Sequence, residues 1–430
     1  MGDFFIIIML TLKIIREQTE YVRARLAVKN FDAAELLQVI IDLDDKRRAL
    51  QTATDAALAE QNVAAKQIGI LMQQGKREEA EAAKLATASG KEKVKAWETE
   101  LQMLTQQLND ALVQLPNLPS ELVPAGKSAE DNEVVRSGGS MPKLEQAFPH
   151  WELAAKYDII DFDLGVKLTG AGFPVYKGKG ARLQRALISY FLDCNTAAGY
   201  LEVQPPLMVN EASGYGTGQL PDKGEQMYYV GLDRFYLIPT AEVPVTNIYR
   251  DVIVDPADLP VKLTAYTPCF RREAGSYGKE VRGLNRLHQF DKVEIVQLRT
   301  PEESYKALDE MVAHVEKLVQ SLGLPYRILR LCGGDMSFTS ALTYDFEVYS
   351  AAQERWLEVS SVSNFESFQS NRLKLRYRDE KQKTQLLHTL NGSALALPRI
   401  VAAILENNQD ARGIVIPEVL RPYTGFDRID

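Results

Sequence analysis

Between residues 36 and 115, apolar side chains recur every three or four positions, and no other feature restricts the fold of this chain as much. Leu36, Ile40, Leu43, Leu50, Ala57, Ala64, Ile68 and Leu71 form one seam, interrupted by Arg47, Thr54 and Gln61. Ala80, Ala83, Val94, Trp97, Leu101, Leu104, Leu108, Leu112 and Leu115 form a second. Threes and fours put one apolar stripe along an α-helix, and Gly75 between the runs suits a tight reversal. The expectation is an antiparallel helical hairpin packed as a coiled coil. Helices of about 35 residues would make an arm roughly 50 Å long at ~1.5 Å per residue. So many Ala and Gln seam positions cannot supply a globular core, which must lie elsewhere in the chain.

Length allows this. The chain has 430 residues, 45% of them hydrophobic, with 27 Gly and 19 Pro, enough for two or three domains and unlike a disordered or collagenous sequence. Its three cysteines (Cys194, Cys269, Cys332) and four histidines (His150, His288, His314, His388) are scattered, so neither a disulfide framework nor a zinc finger is expected. The apolar run Phe4 to Leu10 is far short of the ~20 residues of a membrane span. Asp3 stands before it and no small-residue cleavage site follows. A buried first strand, or a natural start at Met9, fits it better than a membrane role, and a cytoplasmic protein is expected. The net charge of −8 does not announce a nucleic-acid partner. The distal part of the hairpin, Lys66 to Lys95, nonetheless carries seven basic residues against four acidic ones. It could bind a phosphate backbone or merely solvate the flanks of a coiled coil.

Pro116 and Pro119 stop the second helix, and Ser137-Gly-Gly-Ser-Met-Pro142 extends the connection. The expected division is an arm over 1–115, a linker over 116–149 and a second domain over 150–430. There Gly180 to Ala198 reads as an amphipathic helix. Strand-like segments follow at 200–203, 234–238, 261–266, 290–297, 344–348 and 356–359, with a helix over 301–321. No Gly-rich phosphate loop opens a helix after a strand, so neither a P-loop nor a dinucleotide fold is expected. The fold class is α+β: an antiparallel sheet flanked by helices, preceded by the hairpin.

Three clusters could carry chemistry, the third made of two segments. Thr267-Pro-Cys-Phe-Arg271-Arg272-Glu273 and Arg286-Leu-His-Gln-Phe290-Asp-Lys-Val-Glu294 read as two strands joined by a loop. Arginine forks two hydrogen bonds onto a phosphate, and Phe290 can stack on a purine on the strand face that also carries Glu294. A surface hairpin of exposed ion pairs fits the same letters. Pro239-Thr240-Ala241-Glu242 places a hydroxyl and a carboxylate where they could hold an ammonium, or cap a helix. Asn391-Gly-Ser393-Ala-Leu-Ala-Leu-Pro398-Arg399 leads into a helix for which Pro398 suits the first turn. Glu358-Val359-Ser360-Ser361 offers oxygen ligands for Mg²⁺ between phosphates. A Gly-Ser bend and a capped helix account for these last segments equally well.

Together the segments resemble the class II aminoacyl-tRNA synthetases, and within them the seryl-tRNA synthetase family of the ordinary bacterial type. Gly199-Tyr-Leu-Glu-Val-Gln-Pro-Pro206 looks like motif 1, Phe270 to Phe290 like motif 2, and Gly392 to Arg399 like motif 3. The likeness runs from Met9 to Gly425, arm included. It implies a class II synthetase sheet, a homodimer formed through motif 1, and a cytoplasmic enzyme that joins L-serine to tRNA(Ser), and also tRNA(Sec), through a seryl-adenylate. Arg271 would hold the α-phosphate, Glu273 the adenine amino group and Phe290 the adenine face, with Arg272 beside them. Arg286 and Arg399 would clamp the γ-phosphate, making Arg271 and Arg399 the catalytic pair. Thr240, Ala241, Glu242, Glu294 and Ser393 would bind serine. Glu358 and Ser361 would ligate Mg²⁺, with Val359 and Ser360 completing the ATP-binding segment. No zinc is implied, and the arm would grip tRNA.

Ala394 and Pro398 stand where the family's motif 3 has glycines. They are harmless if the backbone there is extended and then helical, and harmful if it needs positive φ. Two alternatives remain: a relative that loads a carrier protein, which would lack the arm, and a non-catalytic paralogue acting as an RNA-binding dimer.

Overall fold

A computed structural model describes residues 12–222, 224–273 and 282–430, without the side chains of Ala88 and Ser89. The Phe4–Leu10 run and most of the loop joining the two halves of motif 2 lie outside the described residues. The chain divides into two units: one comprises the chain to Ala27 and Phe31–Pro116, the other Val28–Asn30 and Asn117–Asp430. Among the described residues no helix is long and apolar enough to cross a membrane.

In the first unit, short helices α1 (Leu12–Glu17) and α2 (Thr19–Val28) precede α3 (Ala34–Gln73) and α4 (Arg77–Leu112). The two long helices pack on each other and reverse at Gly75, whose φ of +76° belongs to the left-handed region. Every position of the first seam is buried or half-buried, including the interrupting Arg47, Thr54 and Gln61. The stripe therefore runs unbroken beneath polar residues. Thr54 bonds back to the Leu50 carbonyl at 2.8 Å, and Arg47 bonds Asp44 at 2.8 Å. At the distal end Lys76, just before α4, and Lys84 on α4 pair with Glu79 and Glu81 of α4, and the Lys93 ammonium lies 4.5 Å from the centre of the Trp97 ring. Helices α1 and α2 were not anticipated: their seams are too short for a periodic pattern to stand out.

The second unit is built on an eight-stranded sheet. In chain order its strands are β1 (Glu133–Gly138), β2 (Leu201–Glu202), β3 (Val261–Phe270), β4 (Gln289–Arg299), β5 (Tyr326–Arg330), β6 (Leu342–Ser350), β7 (Arg355–Asn364) and β8 (His388–Ala396). They lie side by side in the order β1-β5-β6-β7-β8-β4-β3-β2. All pairs are antiparallel except β2 with β3. Helices α5 (His150–Lys156), α6 (Gly178–Ala197), α7 (Glu242–Asn247), α8 (Ser304–Ser321), α9 (Phe368–Leu373) and α10 (Leu397–Asn407) pack on this sheet or on one another. Cover from helices explains why the central strands are buried along most of their length instead of alternating.

Two differences from the sequence reading have physical causes. The expected linker over 116–149 is in part sheet: its residues 133–138 form β1, which pairs with β5 and makes an edge of the sheet. The β1 side chains, Val134 and Val135 included, are almost all exposed with no apolar alternation, and Glu133 pairs with Arg330, which hides the strand from a hydrophobicity pattern. Residues 388–396 form the central strand β8, although Asn391-Gly392-Ser393 reads as a bend. Gly392 serves close packing there: a Cβ would lie 2.9 Å from a methyl of Val362 on β7. Residues 235–237 form a strand, but in a separate three-stranded sheet.

Candidate active site

β3 and β4 pair without a break from Phe270 opposite Gln289 to Val261 opposite Leu298. This register sets the site. Phe290, Lys292 and Glu294 alternate along β4 with Asp291, Val293 and Ile295, so the first three share a face. Lys292 Nζ lies 2.6 Å from Glu294 Oε2, and both side chains are buried. The Thr240 hydroxyl donates to the same oxygen at 3.0 Å, and it accepts the Glu242 amide at 3.3 Å. Glu242 opens α7, and its Oε1 accepts Gln369 Nε2 of α9 at 2.5 Å. Gln369 is held in turn by the Thr389 hydroxyl, which donates to its Oε1 at 2.6 Å. Burial, and then the charge of Glu294, push the Glu242 carboxyl up to about 7, against smaller opposing effects from Gln369, Lys292 and Asn391. Ser393 stands opposite Glu294 across the β4–β8 pairing. Ala241 is fully buried in the core beside this pocket.

Beside the pocket, Arg271 Nε donates to the Pro239 carbonyl at 3.3 Å, directly before Thr240. The Arg271 guanidinium lies 5.1 Å from the centre of the Phe290 ring. Arg286 Nη1 donates to Glu273 Oε2 at 3.0 Å. Arg272 is exposed and anchored through its amide, which donates to the Gln226 carbonyl at 2.8 Å. Arg399, in the first turn of α10, donates from Nε to the Asn285 carbonyl at 3.0 Å and from Nη1 to the Glu358 carbonyl at 2.7 Å.

The Glu358–Ser361 segment lies on β7. Val359 points into the core, and the Ser360 hydroxyl ties β7 to β8 by donating to the Ser393 carbonyl at 2.5 Å. Ser361 stands opposite Asp345 of β6. Burial and the neighbouring Glu358 charge raise the Asp345 carboxyl well above the usual carboxylate range, partly offset by the Ser361 hydroxyl. Asp345 Oδ1 is buried and has no hydrogen-bond partner among the described residues. This hard-oxygen donor set fits Mg²⁺, which commonly takes one or two carboxylates and completes its shell with water and substrate phosphates.

Ala394 lies inside β8 and Pro398 in the first turn of α10, and neither has positive φ. Neither position therefore needs the left-handed conformation for which a glycine would be required.

Residues 230–408 match the model of the class II tRNA synthetase core domain (G, H, P, S and T), and residues 9–119 match the seryl-tRNA synthetase N-terminal domain. The serine–tRNA ligase of Salinibacter ruber is 51% identical over 424 residues, covering 98% of this chain and 99% of that protein. The chain belongs to the seryl-tRNA synthetase family. The serine–tRNA ligase of Trichlorobacter lovleyi is 47% identical, covering 97% of this chain and 98% of its own. A crystal structure of seryl-tRNA synthetase from Pyrococcus horikoshii complexed with ATP superposes with a TM-score of 0.91 at 32% identity, covering 98% of this chain and 99% of that one. Like its seryl-tRNA synthetase relatives, this chain is an enzyme that charges tRNA with serine. The reading as a non-catalytic paralogue finds no support in them.

Sequence reasoning missed Lys292, Gln369 and Asp345. Lys292 was within reach, because a strand that presents Phe290 and Glu294 on one face presents Lys292 there too. Asp345 becomes visible only once β6 is set in register against β7. Gln369 sits on a short helix more than 120 residues from Glu242, and no local pattern marks it.

Proposed function

We propose that the site condenses L-serine with ATP to seryl-adenylate and pyrophosphate, then passes the seryl group to the terminal adenosine of tRNA(Ser) and of tRNA(Sec). The observation that carries this is the single hydrogen bond from Arg271 to the Pro239 carbonyl, which couples a phosphate-binding arginine to the Thr240–Glu294 pocket. In this reading the serine ammonium enters between Glu242 and Glu294, and Thr240, Glu294 and Ser393 read the hydroxyl. Phe290 stacks on adenine, Glu273 takes its amino group, Arg271 holds the α-phosphate, and Arg286 and Arg399 hold the γ-phosphate. A serine oxygen held in line with the α-phosphorus needs no side-chain base: positioning and neutralisation of the developing charge suffice. Glu358 and Ser361 would hold Mg²⁺, with Asp345 beside them, and the ion would neutralise phosphate charge when bound. The ATP complex of the Pyrococcus relative supports ATP as the co-substrate.

The same proposal takes the N-terminal arm, through residue 115, as the tRNA-binding element, the protein as a homodimer joined through the 199–206 segment, and its place as the cytoplasm. Serine-dependent exchange of labelled pyrophosphate into ATP tests the chemistry, with threonine, alanine and cysteine as controls. Exchange with serine alone is expected. A folded protein that exchanges with none of the four overturns the reading.

A further inference from the structure

The limb that returns the chain from residue 282 into β4 carries Arg286, and it is held by groups that the proposed reaction does not touch. His150, at the start of α5, is fully buried, and its Nδ1 lies 2.7 Å from Glu406 Oε1 near the end of α10. Its Nε2 lies 2.8 Å from the Leu284 amide nitrogen. A backbone amide only donates, so Nε2 accepts, and the ring proton is assigned to Nδ1, where it donates to Glu406.

These contacts close into a circuit. Gln353 Nε2 donates to the same Glu406 oxygen at 3.1 Å, Asn285 Nδ2 donates to Gln353 Oε1 at 2.9 Å, and the Leu284–Asn285 peptide completes the ring back to His150. The second Glu406 oxygen accepts the Ser350 hydroxyl. The Asn285 carbonyl meanwhile accepts Arg399 Nε, and Arg399 stands about two turns before Glu406 on one helix. A separate observation shows how tightly the limb is docked. Gly283 has φ +67°, and a Cβ there would lie 2.2 Å from His150 Nε2 and 3.0 Å from the Trp151 ring. The Arg282 guanidinium covers that ring at 4.7 Å from its centre.

Burying a carboxylate and an imidazole gains little over apolar packing of the same volume. What the polar circuit adds is direction: it fixes one amide and one carbonyl in the limb. We infer that Glu406 and His150 are positioning residues that set limb 282–286, so that Arg286 and Arg399 meet the triphosphate together. This rests on the reading of the site as ATP-dependent.

The test compares two variants of the full chain. His150→Asn keeps an amide near the Nδ1 position but leaves the Leu284 amide without an acceptor. His150→Gln reaches the Nε2 position and restores one. Pyrophosphate exchange is measured with ATP and serine varied separately, alongside hydrogen exchange at the Leu284 amide. The Asn variant is expected to raise the KM for ATP about tenfold, leave the KM for serine unchanged and speed exchange at Leu284, and the Gln variant to recover most of both. Gln353→Met, at a half-buried position, opens the circuit without touching His150 and gives a smaller change in the same direction, so a misfolded Asn variant does not end the test. A wild-type KM for ATP with native Leu284 protection in the Asn variant overturns the inference. So does an equal rise in both KM values that Gln does not rescue. Wild-type protein with no exchange at all overturns the ATP reading instead, and Leu284 protection then still decides whether the circuit docks the limb.

Discussion

Two carboxylate clusters, one around buried Asp44 in the helical arm and one in the sheet domain, are built on different charge balances. In the arm, Asp44 takes Arg16 at 3.0 Å and Arg47 at 2.8 Å, while Asp45 takes the other Arg16 nitrogen at 2.6 Å. Two carboxylates meet two guanidiniums, and the account is closed. In the pocket, Glu242 and Glu294 face one ammonium, Lys292. Among the described residues that pocket sets two carboxylates against one ammonium; burial first, and then the neighbouring Glu294 charge, push the Glu242 carboxyl upward. A balanced cluster fixes helices; an unbalanced one suits a cationic ligand, which in the proposed reading is the serine ammonium.

The sharpest way to separate the two is to remove the arm. Deleting Ile40 to Leu108 is expected to abolish tRNA charging and leave serine-dependent pyrophosphate exchange near wild type; equal charging by the armless protein would break the assignment of RNA binding to the arm. Within the pocket, Glu294→Ala strands Lys292 and removes the acceptor of Thr240, so exchange is expected to fall about a thousandfold through the KM for serine and the rate together. The charge deficit also predicts a pH profile. Below about 7 Glu242 holds a proton that the entering ammonium must displace. The KM for serine is therefore expected to rise as pH falls, about tenfold per unit below that point. Glu242→Gln should flatten this limb of the profile at a weaker overall affinity, and a flat wild-type profile between pH 5.5 and 8 contradicts the deficit. The smallest effect belongs to the balanced cluster. Asp44→Asn is expected to destabilise the arm by about 1–3 kcal/mol, seen as faster hydrogen exchange in α3, with pyrophosphate exchange untouched.

The hairpin was legible because its signal is local: a helix writes its packing face into neighbouring turns, and even Arg47, Thr54 and Gln61 fall on the seam that the apolar residues define. The strands carrying Glu294 and Glu358 were legible for the same reason. β1 and β8 were not, since an exposed edge strand carries no apolar alternation and Asn-Gly-Ser in a central strand imitates a turn. In the site, resemblance supplied roles for Thr240, Glu242 and Arg399, but neither it nor the pattern supplied Gln369 or Asp345. Those two matter through partners that only the folded sheet and α9 bring near.

β4 has one more consequence. At ~3.4 Å per residue, the ring of Phe290 and the carboxylate of Glu294 are mounted about 14 Å apart along one straight rail, with Lys292 midway between them. In the proposed reading, the separation between the base end and the amino-acid end of the adenylate would thus be metered by the backbone and not by flexible side chains. Because the strand alternates, inserting or deleting one residue between those marks would do more than lengthen or shorten the gauge. It would turn the remaining mark into the core, so the ruler admits no fractional error.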